Sequence, residues 1–134
     1  MTALIDTHVL LWWFTDPDCL SAKTRDWIEN SITSQEGRIL LSPVSLWELE
    51  NKRVRGKLAL EIPVQRWLPQ LVRLPGLQLI DTNAEIWITA AAMDWSHRDP
   101  ADRIIAATAI VHQVPVVTID RKFHAADSPV KAVW

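Results

Sequence analysis

The chain has 134 residues, which fits one domain of ordinary size spanning 1–134. A net charge of −2 and a pI near 6.0 exclude a molecule that binds polyanions over its whole surface, so any such ligand needs a local patch or a metal. A single cysteine, Cys19, excludes an intrachain disulfide. No basic, apolar leader opens the sequence, and the apolar run 9–14 is far short of the ~20 residues of a membrane span. A soluble cytoplasmic protein with no membrane association is the expectation.

In chain order, residues 2–6 read as a buried strand and 7–14 as a helix, stopped by Asp16-Pro17-Asp18. A second helix fits 21–32, where Ala22, Trp27, Ile28 and Ile32 share a face. After Gly37, residues 39–41 form a short strand, and Ser42-Pro43 starts a helix as cap and first residue, ended by Gly56. A short helix follows over 63–73, then a strand over 77–80. Asn83 caps a helix through about residue 93, and Asp99-Pro100 opens another over 100–113. Strands over 114–119 and 130–133 complete the chain. Strands alternating with helices imply a parallel sheet covered on both faces. Ligands in such folds bind beyond the carboxyl ends of the strands.

Four acids stand at that edge. Asp6 and Asp120 close predicted strands, and Glu48 and Asp102 lie in the first turns of predicted helices. Each has a bland reading. Asp6 could cap the helix it precedes, and Asp120 could be a turn residue. Asp102 could belong to a capped helix start with Asp99. Glu48 could form a capping box with Ser45 or pair with Lys52. Jointly, four carboxylates on one edge point to a Mg²⁺ or Mn²⁺ site, since like charges at ~4–6 Å raise one another's pKa and hard cations take oxygen ligands. The histidines lack a zinc pattern, and the three isolated glycines make no phosphate loop. The one basic cluster, Lys52, Arg53 and Arg55, is either a solvated helix end or a phosphate contact. Among eight tryptophans, Trp12 and Trp13 with Phe14 fan over about 200° of a helix, so a partner surface is one reading.

The segments 4–8 (LIDTH), 42–48 (SPVSLWE), 97–103 (HRDPADR) and 117–120 (VTID) closely resemble the PIN-domain ribonucleases, and more narrowly the VapC-type toxins of bacterial toxin–antitoxin pairs. No single segment is specific; four in this order are. The resemblance implies a three-layer α/β fold with a five-stranded parallel sheet, order 3-2-1-4-5, which sets the Asp6 and Asp120 strands side by side. It implies divalent-metal endonuclease activity on RNA, a cognate antitoxin, and a homodimer or toxin–antitoxin hetero-oligomer. Asp6, Glu48, Asp102 and Asp120 carry over as the acidic site, with Asp6, Asp102 and Asp120 on the metal and Glu48 on a second metal or a water. Asp99 is a neighbour better read as a cap, and Thr118 would orient a ligand or water. Lys52, Arg53 and Arg55 would steer RNA, and Trp12, Trp13 and Phe14 would meet the antitoxin. Two positions depart from the pattern: Ala101 stands where many relatives have a bulky aromatic, and Glu50 is an extra acid that should face away from Glu48. Two rivals stay open. One is a metal-dependent phosphatase or structure-specific DNA nuclease on a related scaffold; the other is a non-enzymatic binding module whose acids are caps.

Overall fold

The computed structural model describes all residues, 1–134. Five strands form one sheet: β1 (Thr2–Ile5), β2 (Arg38–Leu41), β3 (Leu77–Leu79), β4 (Val116–Val117) and β5 (Ala132–Val133). Their order is β3-β2-β1-β4-β5, and every pairing is parallel. The order is the one the sequence resemblance implied.

The helices are α1 (Thr7–Thr15), α2 (Ala22–Thr33), α3 (Pro43–Val54), α4 (Leu68–Leu71), α5 (Ala84–Ala92), α6 (Pro100–His112) and α7 (Arg121–His124). Strand alternation sorts them into two layers, because successive side chains point to opposite faces of a sheet. Ala3, Ile5, Ile39, Leu41 and Val117 face one core with Val9, Ile28, Leu49 and Leu71. Leu4, Leu40 and Val116 face the other, with Ile86, Ile105 and Phe123. Both faces of β1 are covered, and Ala3, Leu4 and Ile5 are fully buried, as a central parallel strand requires.

Predicted helix starts are met by real caps. Ser42 accepts from the amide of Val44, Asn83 from Ile86, and Asp99 from Ala101. Three elements differ from expectation. The helix expected over 63–73 is a 3-10 turn, Val64–Trp67, followed by the single turn of α4; Pro69 has no N–H to continue an α-helical ladder. The strand expected over 114–119 shrinks to Val116–Val117. Val114 instead donates its amide to Ala109 and closes α6, and Pro115 cannot donate at all. The one-turn helix α7 was not foreseen, because Asp120 reads locally as a turn residue. Gly76 has a chain-specific role: its φ is +77°, and a Cβ there would meet Ser31 O at 2.1 Å. No helix is long and apolar enough to cross a membrane.

Candidate active site

The ends of β1 and β4 are locked together. The Asp6 amide donates to Val117 O at 3.1 Å, so both chains leave the sheet at one level. Asp6 is 3% exposed. Its Oδ1 accepts the Thr7 amide at 2.6 Å, and its Oδ2 accepts the Thr118 hydroxyl at 2.7 Å. That hydroxyl also accepts the Asp120 amide at 3.0 Å. Thr118 is fully buried, and its hydroxyl bridges the Asp6 carboxylate and the Asp120 backbone amide. Burial pushes the Asp6 carboxyl above its usual range and the Glu48 charge adds to this, against the Thr118 and Thr7 hydrogen bonds and the nearby His8.

Glu48 comes from α3. The buried Ser45 accepts a 3.0 Å hydrogen bond from the hydroxyl of Thr7, the residue after Asp6. This contact seats the start of α3 against the start of α1 and brings Glu48, one turn further on, into the field of Asp6. Glu48 is the sixth residue of α3, not a first-turn residue. Ser45 lies inside the helix, so no Ser45–Glu48 capping box exists. Lys52 Nζ stands 3.8 Å from Glu48 Oε2.

Asp99 is a helix cap, as the sequence suggested. Asp99 caps α6 through Oδ1 to the Ala101 amide at 2.9 Å. Asp102, in the first turn, has a side chain 13% exposed, with Oδ2 at 2.5 Å from His97 Nε2. Burial above all, then the charges of Asp6 and Asp99, push its carboxyl up to about 6 against the hydrogen bond to His97. Asp120 caps α7 through Oδ1 to Lys122 N at 2.9 Å, and is half-buried. Asp6, Asp102 and Asp120 therefore each serve a helix start and the acidic site at once. His97 was not singled out in the sequence, where it stood only among the histidines that lack a zinc pattern and within HRDPADR.

Asp6, Glu48 and Asp102 thus share one electrostatic neighbourhood, and Asp120 joins through Thr118. The tightest trio is a different one: His97, Asp99 and Asp102 bring ligand atoms within 4.8 Å of one another. The chemistry of the four acids fits a hard divalent cation, because the donors are carboxylate oxygens and a cation would offset the repulsion and burial that raise Asp6 and Asp102.

The basic cluster is divided. Arg53 is turned to Glu50, with Nε at 2.6 Å and Nη2 at 2.5 Å from Oε1. Glu50 also accepts the Val64 amide at 2.8 Å, so it faces away from Glu48 as its spacing implied. Lys52 stays beside Glu48, and Arg55 is exposed at the end of α3. The aromatic trio is half-buried and packed on the core. Trp12 lies between His8 and Trp134, and Phe14 stacks on Trp67 at 5.1 Å. Trp13 lines a groove of about 350 Å³ against α2. The exposed tryptophans are others, Trp47 at 62% and Trp87 at 56%.

The family profile of the PIN domain matches residues 3–129. Ribonuclease VapC22 of Mycobacterium tuberculosis (strain ATCC 25618 / H37Rv) is 35% identical over 136 residues, covering 99% of this chain and 98% of that one. This chain is a PIN domain of the VapC type. Solved structures agree on the fold. VapBC2 from Rickettsia felis, bound to a promoter DNA fragment, gives a TM-score of 0.65 at 17% identity, over 99% of this chain and 98% of that chain. DNA-bound VapBC from Salmonella typhimurium gives 0.68 at 17%, over 99% and 97%. FitAcB from Neisseria gonorrhoeae gives 0.66 at 22%, over 100% and 97%. The matched residues include Asp6, Glu48, Asp102 and Asp120.

Proposed function

We propose that this protein is a Mg²⁺- or Mn²⁺-dependent endoribonuclease, held inactive by a cognate antitoxin with which it forms a hetero-oligomer. The observation that carries the reading is the grouping of Asp6, Glu48 and Asp102 at the carboxyl edge of the sheet, where burial first, and the charges of neighbouring acids second, raise the carboxyls of Asp6 and Asp102. Similarity to a VapC ribonuclease supports RNA as the substrate class. Similarity in fold to VapBC and FitAcB complexes supports the antitoxin.

Asp6, Asp102 and Asp120 would hold the cation, and Glu48 would hold a second one or a water. When bound, the cation supplies Lewis acidity towards the scissile phosphate and lowers the pKa of an attacking water. The chain supplies position. Thr118 keeps Asp6 and Asp120 at a fixed separation, and the Thr7–Ser45 contact sets Glu48 beside them. Lys52 and Arg55 meet the RNA backbone at the end of α3, and in-line attack leaves a 5′-phosphate and a 3′-hydroxyl. The antitoxin lies over the acidic edge and the α1 surface that Trp13 lines.

The test is cleavage of a labelled single-stranded RNA by the purified chain in Mn²⁺ or Mg²⁺ and in EDTA, beside Asp6→Asn. Cleavage should need the cation and fall by orders of magnitude in the variant, which keeps the shape and removes one charge. Undiminished cleavage in EDTA, or near-wild-type turnover by Asp6→Asn, would refute the assignment. Preference for structured DNA would favour the DNA-nuclease rival.

A further inference from the structure

We propose that His97 is a positioning residue of the acidic site: it fixes the Asp102 carboxylate through Oδ2 and leaves Oδ1 for the cation. The proposal rests on the metal-dependent reading above. The Nε2–Oδ2 separation is 2.5 Å, and Oδ1 accepts no hydrogen bond. A carboxylate that ligates a cation is ionised and only accepts, so His97 must present Nε2–H to it.

The histidine is held from two sides. Its side chain is 11% exposed, and its ring meets Trp95 edge-on with centroids 4.9 Å apart. Trp95 is 6% exposed and leans in turn on Phe123 at 5.2 Å. The backbone is held by Arg103, the residue after Asp102. Arg103 donates from Nε to Ala90 O at 2.9 Å, from Nη2 to Met93 O at 2.7 Å, and from Nη1 to Trp95 O at 3.1 Å and His97 O at 2.9 Å. Its donors go to carbonyls alone, with no carboxylate partner. One turn of α6 therefore carries both Asp102 and the clamp on the loop that delivers His97. A rigid donor of this kind reduces the orientations that Asp102 must give up when it meets a cation. Such outer partners typically carry a 10–100-fold effect on metal affinity.

A purely structural role would staple the loop to α6 without changing the metal affinity of the folded protein. The two roles separate in a calorimetric titration of Mn²⁺, without RNA, into wild type, His97→Ala, His97→Gln and His97→Met, with circular dichroism as the check on folding. His97→Ala and His97→Met should lose roughly 10–100-fold in Mn²⁺ affinity. His97→Gln, which offers an amide N–H in place of Nε2–H, should stay within about threefold of wild type. Should the alanine variant not fold, the Met–Gln pair decides, since Met fills space without a donor. Wild-type affinity in His97→Met overturns the proposal. Equal losses in Met and Gln also overturn it, because His97 would then act by shape or as a ligand itself. If wild type binds no Mn²⁺, the metal-dependent reading fails first, which is a distinguishable result.

Discussion

Asp102→Asn should stabilise the metal-free protein while it abolishes catalysis. Burial and the charges of Asp6 and Asp99 lift the Asp102 carboxyl from 3.8 to about 6. At about 1.4 kcal/mol per unit, the ionised side chain opposes folding at neutral pH by on the order of 3 kcal/mol. The 13% of the side chain that water reaches and the loss of a charged hydrogen bond to His97 lower the gain, so we expect about 1–2 kcal/mol. For a chain of this length that is a rise in Tm of roughly 3–10 °C. The sign follows from proton uptake. Below about pH 4 both folded and unfolded Asp102 are protonated and the penalty is absent. Between about pH 4 and 6 the folded state keeps a proton that the unfolded state has released, so wild-type stability falls as pH rises, and above about pH 6 the penalty is complete. The advantage of Asp102→Asn should therefore be near nil at about pH 4 and reach a plateau above about pH 6.5. Urea melts of both proteins in EDTA across this range measure it, and Mn²⁺ added at neutral pH should raise the stability of wild type far more than that of the variant. A variant less stable than wild type at neutral pH in EDTA, or a gain independent of pH, would refute the reasoning.

Asp99→Asn should keep most of the RNA-cleaving activity that Asp102→Asn loses, because Asn caps a helix about as well as Asp; the reverse pattern in a cleavage assay would exchange their roles. Lys52→Ala with Arg55→Ala should flatten the salt dependence of RNA binding by roughly 0.7 in log–log slope per lost phosphate contact. Arg53→Ala should leave that slope alone and lower stability only slightly, since its guanidinium is engaged with the partly exposed Glu50; a slope change with Arg53→Ala would show that the pair opens for RNA. In pull-down with the antitoxin, Trp13→Ala should weaken the complex more than Trp12→Ala, because Trp13 lines a groove and Trp12 packs between His8 and Trp134; equal binding by all three proteins would move the antitoxin surface off α1.

Local order was legible in the sequence, because it is set by near neighbours. The pairs Ser42-Pro43 and Asp99-Pro100, and Asn83, start helices through contacts two or three residues away, and all three caps form. The apolar runs of β1 and β2 needed only their own hydrophobicity to be read as buried strands. The sheet order came from the family resemblance, not from these patterns. Where two local rules competed, reading failed: Pro69 broke the helix expected over 63–73, and Val114 went to the end of α6 rather than into a strand.

Sequence alone set Asp6 beyond a strand and Asp102 in the first turn of a helix, but it put Glu48 in a first turn where the structure makes it the sixth residue of α3. Their electrostatic state needed the fold. Asp6 is raised by burial and by a Glu48 charge 42 residues away, and it is held by Thr118, 112 positions along the chain. Only tertiary packing brought the Thr118 hydroxyl to Asp6 and set His97 on Asp102 by way of the Arg103 clamp. The physical reason is range. Periodicity and capping act within a turn of the chain, whereas burial, pairing and the pKa of a carboxyl depend on whatever the completed fold brings within a few ångströms.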